Sequence, residues 1–283
     1  LIYNAADNGS HKYEINGIEK MRIDTTGVRG SLTNGSRATQ DTFAIGLSDV
    51  IQPNLLLYFN VANSNSYSGS GTTVTDLSGN SNTCYLGAGV GYSTSNGGYF
   101  TFAGNESSST SFIGTPVVLP TNDRVTYMYW VYYNDADMND LADYQLNGIQ
   151  TGSGYCYVGR EPGYAASVYG YIGAGTAISN ANSPGNGQQW EHVAITRDSG
   201  SSGYGKQTIY INGEVSVSNL GLAATAHTAT FNFGGVTGAS NGSGNASYTL
   251  NGRIASGCIY DRALSQAEII HNMMVDAPRL WGI

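Results

Sequence analysis

With 20 acidic against 12 basic side chains in 283 residues, a formal charge of -8 and no local cluster of Lys and Arg, the chain would repel a phosphate backbone, which excludes nucleic acid as a partner. No apolar run approaches the roughly 18 residues needed to cross a bilayer, so membrane insertion by a helix is excluded too. Only 11% of residues are charged, yet 21 tyrosines stand beside many Val, Ile, Leu and Phe, enough for a core; disorder is therefore excluded.

The first fifty residues differ from the rest. Tyr13, Glu14 and Ile15, then residues 18–26, make two alternating runs hinged at Asn16-Gly17 and stopped at Gly27, which predicts a hairpin. A lone two-stranded hairpin is marginal in water, so a neighbouring chain is its expected cover. Glycines 30, 35 and 46 mark residues 31–49 as a connector. The sequence opens on Leu1 rather than Met, as expected of a fragment or processed product. The organisation expected is therefore a stalk segment over 1–50 and one large domain over 51–283.

Strands are predicted for Leu55 to Phe59 and near residues 84–86, 99–102, 124–133, 154–160, 166–172, 189–196, 207–211, 228–233 and 250–260. Polar spacers separate them, among them 63–73, 199–203 and 238–244. In the Trp190 stretch, Trp190, His192, Ala194 and Thr196 share one side of an extended chain, and Glu191, Val193 and Ile195 the other. Asn212-Gly213 adopts the positive φ angles of a tight hairpin turn at least cost, so residues 215–217 should return antiparallel to 208–211. Ser265 and Glu268 stand in capping-box spacing, which starts one short helix at Ser265. Pro278 should stop that helix and leave Leu280, Trp281 and Ile283 to dock on the domain or on a neighbour. Many strands with a single helix imply a two-sheet antiparallel sandwich.

The ordered succession Trp190-x-His192-Val193-Ala194, Ile209-Tyr210-Ile211-Asn212-Gly213, Phe231-Asn232-Phe233-Gly234, Gly252-Arg253-Ile254 and Ile259-Tyr260-Asp261-Arg262-Ala263-Leu264-Ser265 resembles laminin-G-like or concanavalin A-like jelly-roll domains. Leu55-Leu56-Leu57-Tyr58-Phe59 is similar to their opening strand, and Asp76-Leu77-Ser78-Gly79-Asn80-Ser81-Asn82 to their D-x-S-G-N-x-N loop. Gly98 to Gly104 is similar to the strand after that loop, and Tyr127-Met128-Tyr129-Trp130-Val131 to a strand carrying a buried tryptophan. The resemblance covers about residues 51–275 and implies an all-β antiparallel jelly roll with one short C-terminal helix. A second resemblance covers about residues 11–30. Asn16-Gly17-x-Glu19-Lys20-Met21-Arg22-Ile23-Asp24-x-x-Gly27 is similar to a segment of bacteriophage tail-fibre and related virion proteins, found before a terminal module in a homotrimeric shaft or neck.

Jelly rolls of this shape include glucanases, whose chemistry needs two carboxylates about 5–9 Å apart, commonly in E-x-D-x-x-E spacing. That spacing does not occur; Glu106, Glu161, Glu191 and Glu214 stand alone, and capping accounts for Glu268. His11, His192, His227 and His271 show neither metal spacing nor a G-x-S-x-G partner. Asp135 to Asp140 opens like a calcium loop, but Asp140 replaces the required glycine and Leu146 the bidentate glutamate. Asp76, Asn80 and Asn82 remain candidate calcium ligands, although Asx residues also cap turns through their own backbone. Tyr129, Tyr132, Tyr133, Tyr169 and Tyr171 are candidate ligand or interface residues, since tyrosine offers flat apolar area with a hydroxyl.

Cys84, Cys156 and Cys258 cannot all pair within one chain and are expected as buried reduced thiols, which fits assembly in a reducing host cytoplasm. The expectation is a non-enzymatic phage virion appendage: a homotrimer whose jelly-roll heads contact a host-surface glycan or other virion proteins. The alternatives are a capsid or tail decoration protein making subunit contacts and a carbohydrate-active hydrolase.

Overall fold

The computed structural model describes residues 2–5, 11–15, 18–24, 27–30, 49–105, 110–118, 124–134, 145–151, 154–160, 168–172, 178–180, 188–199, 204–223, 230–237 and 249–282. They fall into two compact units, one of Leu1–Val50 with Met274–Ile283 and one of Ile51–Met273.

In the first unit the strands of the expected hairpin pair, with Ile15 opposite Ile18, while Asn16-Gly17 lies outside the described residues, and the two strands are not alone. They form the middle of a four-stranded antiparallel sheet, β1 (Ile2–Ala5), β2 (His11–Ile15), β3 (Ile18–Asp24) and β4 (Gly27–Gly30). The prediction missed β1 and β4 because four-residue strands carry too little alternation to be read. In its register Tyr3 is opposite Tyr13, Tyr13 opposite Met21, Lys12 opposite Arg22 and Arg22 opposite Arg29.

The second unit is the expected two-layer sandwich. Its large sheet runs β18 (Glu214–Ala223), β17 (Tyr204–Ile211), β16 (Trp190–Ser199), β11 (Val125–Tyr133), β21 (Thr249–Tyr260), β9 (Tyr99–Asn105) and β8 (Gly91–Ser93), with β5 (Leu55–Asn60) also on β21. Against it lies a sheet of β19 (Thr230–Phe233), β10 (Ile113–Val118), β7 (Cys84–Leu86) and β6 (Thr73–Val74). A further sheet joins β15 (Ile178–Asn180), β14 (Val168–Ile172), β13 (Gly154–Arg160), β12 (Gln145–Thr151) and β20 (Val236–Thr237), with β20 parallel to β12.

Alternation along β11 decides the core. Tyr127, Tyr129, Val131 and Tyr133 face the small sheet and pack with Phe59, Phe100, Phe231 and Phe233. Phe233 is edge-on to Phe59 at 5.2 Å and to Tyr129 at 6.2 Å. Gly257 leaves room for these rings: a Cβ there would lie 2.7 Å from Phe59 and 2.8 Å from Phe233.

Two strands share one edge of β21, and its pairing register shows where they meet. β9 pairs with Thr249 to Ile254 and β5 with Ser256 to Tyr260. Between them the pairing with β11 shifts by one residue, Trp130 facing Ser256 while Val131 faces Ile254. Ala255 is thus a bulge, and its carbonyl accepts the Val61 amide where β5 ends. The extra residue inverts the alternation, so Arg253 and Ser256 lie on the same outer face although they differ by three.

The turn at Asn212-Gly213 forms as predicted, with φ of 52° and 82° and Ile211 opposite Glu214. Asn212 also ties the turn to β16: its Oδ1 accepts the His192 amide and its own amide donates to the His192 carbonyl, both at 2.8 Å.

The helix α1 (Gln266–Trp281) starts where predicted but is longer than predicted, because Pro278 lies within it. A proline near a helix end forfeits a single backbone bond to the preceding turn. The end is closed by Gly282, at φ 71°, whose amide donates to the Pro278 carbonyl. Within the second unit, α1 covers part of the large sheet's outer face. Asn272 Nδ2 donates to the Tyr260 hydroxyl at 2.9 Å and to Met128 Sδ at 3.6 Å, and Asn272 Oδ1 accepts the Ile51 amide at 2.8 Å.

Candidate functional site

The Asp76 loop is saturated internally. Asp76 Oδ1 accepts the Tyr58 amide at 3.0 Å and the Ser78 amide at 2.8 Å; Oδ2 accepts the Ser78 hydroxyl at 2.7 Å and the Asn82 amide at 2.9 Å. A carboxylate offers about four lone-pair sites, and all are taken. Asn80 and Asn82 turn their amide nitrogens to the Leu55 and Leu56 carbonyls at 2.6 and 2.8 Å. The loop thus locks β5 to the chain that follows. A calcium ion would have to displace four protein donors, and the residues fit a turn cap rather than a cation site.

The candidate tyrosines separate. Tyr129 and Tyr133 are 1% and 0% exposed, within the core between the sheets. Tyr169 and Tyr171 belong to β14, opposite Gly159 and Tyr157 of β13; their side chains lie outside the described residues, as do residues 135–144 with the acidic loop. Tyr132 remains, on the outer face and half-buried.

Around Tyr132 the register assembles a row across four strands. Tyr132 is opposite Trp190 of β16 and Arg253 of β21, and Arg253 is opposite Thr101 of β9. Tyr99, two residues before Thr101, shares that face. The Arg253 guanidinium carbon lies 4.1 Å from the Tyr132 ring centre and 5.2 Å from that of Tyr99. Trp190 closes the group, edge-on to Tyr99 at 5.5 Å and to Tyr132 at 5.8 Å. The next row carries amides: Asn134 Nδ2 donates to Asn251 Oδ1 at 3.0 Å, and the exposed Gln188 donates to the Asn134 carbonyl. Trp190 and Tyr99 are buried and support the group from beneath, which leaves Tyr132, Arg253 and the neighbouring amides as the accessible part, an edge that a flat, hydroxyl-bearing ligand can meet.

Toward α1 the outer face closes. Trp130 and His192 are buried, edge-on to each other at 5.4 Å. Burial alone holds the His192 imidazole down, to a pKa of about 3, so it is neutral and structural.

Three carboxylates elsewhere among the described residues stand in ion pairs. Glu268 pairs with Arg262 at 2.7 Å, Asp276 with Arg279 at 2.7 Å, and the exposed Asp198 with Arg124 at 3.3 Å. Cys84 and Cys258 are buried within strands, and burial pushes the Cys84 thiol up.

Alternation put Trp190 on one side of its strand, but Trp190, Arg253 and Tyr99 were all missed as site residues. A cation within an apolar strand was the available signal for Arg253; the bulge that places it beside Tyr132 leaves no local mark.

Several solved structures share this fold. The receptor-binding domain of botulinum neurotoxin type G is similar at 19% identity and a TM-score of 0.53, over 78% of this chain and 51% of that one. The binding domain of Paraclostridial Mosquitocidal Protein 1 is similar at 17% identity and a TM-score of 0.54, over 78% of this chain and 52% of that one. The Trypanosoma rangeli sialidase is similar at 16% identity and a TM-score of 0.50, over 81% of this chain and 34% of that one. The chain spans about half the length of the toxin binding domains it matches, and identities this low show the fold alone. No curated protein matches the chain. The Laminin_G_3 family, described as the concanavalin A-like lectin/glucanases superfamily, matches residues 105–270, more than half of the sequence. With its sandwich, its ordered strand motifs and that match, the chain belongs to the concanavalin A-like lectin/glucanases superfamily.

Proposed function

We propose that this chain is a non-enzymatic adhesion module, a bacteriophage tail-fibre-like virion protein whose jelly-roll head binds a host-surface glycan. The observation that carries this is the outer-face group of Tyr132, Trp190, Tyr99 and Arg253, the part of that face where aromatic rings and a cation meet beside amides. The sandwich family, and neighbours that are themselves binding domains, support a binding role. Engagement of Glu268, Asp276 and Asp198 in ion pairs supports binding over hydrolysis.

The N-terminal four-stranded sheet is the part that joins three copies. Three heads on one stalk raise effective concentration, so individually weak sites hold a cell surface. A glycan array probed with the full chain, beside mass determination in solution, tests both halves. Expected are a mass of three chains and glycan binding that Tyr132→Ala abolishes without loss of fold or release of sugar. Absence of binding to any glycan overturns the adhesion role, and a monomer with residues 1–50 folded overturns the stalk.

A further inference from the structure

We infer that the outer-face patch selects carboxylated sugars, with Arg253 as the carboxylate receptor. This deepens the glycan-binding role above and rests on it. The chain carries an excess of acid, and Arg124, Arg262 and Arg279 each have a carboxylate partner. Arg253 does not. It is half-buried, yet its contacts are the faces of Tyr132 and Tyr99, and among the described residues its guanidinium has no hydrogen-bond acceptor. A guanidinium stacked on a ring is held in orientation while the N–H groups at its edge stay available, and that planar fork matches a carboxylate through two parallel hydrogen bonds. A neutral sugar would meet the accessible part of Tyr132 and the amides but would leave those donors to water.

The geometry around Arg253 is rigid for backbone reasons. Gly252, beside it, has no room for a side chain, since a Cβ would lie 2.2 Å from the Tyr132 carbonyl oxygen. The Asn134 and Asn251 backbones are joined at 3.0 Å in the adjoining row, so the amides that would meet ring hydroxyls are fixed to the same two strands as Tyr132 and Arg253. The formal charge of -8 opposes an approaching anion, but screening beyond about 8 Å at physiological salt removes most of that opposition and leaves the local cation in control.

The test is a titration of the full chain with a sialic acid-terminated trisaccharide, a glucuronic acid-terminated disaccharide, the methyl ester of each, lactose and a sulfated disaccharide. The set is repeated with Arg253→Gln, Arg253→Lys and Tyr132→Ala after circular dichroism has shown each variant folded. Expected is binding of at least one acid about tenfold tighter than its ester, with that preference erased in Arg253→Gln and only partly kept in Arg253→Lys, which retains charge but not the fork. Equal binding of acid and ester, or an acid preference that survives Arg253→Gln, overturns the inference. Neutral sugars bound through Tyr132 with no acid preference sink the carboxylate claim and leave the glycan role standing, whereas no binding by any probe on this set or on the array sinks both. An Arg253-dependent preference for the sulfated probe over both acids also overturns the carboxylate assignment.

Discussion

Arg262 holds Glu268 at both ends of its guanidinium, Nη1 to Oε2 at 3.0 Å and Nη2 to Oε1 at 2.7 Å, while Oε2 also accepts the Ser265 amide at 2.9 Å. One carboxylate thus caps α1 and ties it to the end of β21. The Arg262 hydrogen bond is the main cause of a Glu268 pKa lowered to about 2. The folded state therefore binds this proton less well than the unfolded chain. The stabilisation is fully present above the ordinary value of 4.5 and is lost as pH falls from there through about 2. Glu268→Ala should cost about 1–2 kcal/mol in urea unfolding at neutral pH, and Glu268→Gln less, because an amide still serves the cap. An unchanged midpoint in Glu268→Ala would contradict the role.

His192 gives a separate acid response at higher pH. Its folded pKa lies near 3, well below the ordinary 6.5, so between those values the unfolded chain binds a proton that the folded chain refuses. Stability should fall on acidification below about pH 6.5, at up to about 1.4 kcal/mol per pH unit. Between pH 6.5 and 4.5 Glu268 is silent, so the part of the slope that a His192 variant removes there reports His192. Its buried Nδ1 has no hydrogen-bond partner among the described residues, and His192→Phe should keep the edge contact with Trp130 while flattening that slope. Thermal melts at stepped pH read it; an equal slope in the variant would rule His192 out.

Tyr129 and Tyr132 differ by three positions and should behave oppositely. Tyr129→Ala empties a core site against Phe233 and should cost about 3–5 kcal/mol. Tyr132→Ala, on the half-buried outer face, should cost less than about 2 kcal/mol and act on ligand binding instead. Urea midpoints of the two variants, compared side by side, decide it.

Asp76→Ala would strand the Tyr58, Ser78 and Asn82 amides and the Ser78 hydroxyl together, a loss of about 2–4 kcal/mol. Because those donors already fill the carboxylate, millimolar calcium or a chelator should leave the wild-type melting temperature within about 1 °C. A clear calcium-dependent rise that disappears in Asp76→Ala would place an ion there after all.

Features set by neighbours in the chain were legible in advance. Asn212-Gly213 makes its turn because two adjacent residues tolerate positive φ, and Ser265 with Glu268 makes its cap because three-residue spacing brings each to the other's amide. The jelly-roll class and the buried tryptophan followed from recurring motifs. Alternation also divided β11 into two faces, but it could not say which was core, because both are covered: Tyr129 by the small sheet and Met128 by Asn272 of the helix. Whether four-residue strands flank the N-terminal hairpin, and whether a helix tolerates Pro278 near its end, depends on contacts that local propensity does not encode. The composition of the outer-face patch likewise belongs to tertiary structure. Arg253 reaches Tyr132 and Tyr99 only because β21 accepts β9 and then β5 along one edge and absorbs the exchange as a bulge at Ala255, an irregularity set by strand pairing rather than by the residues that adopt it.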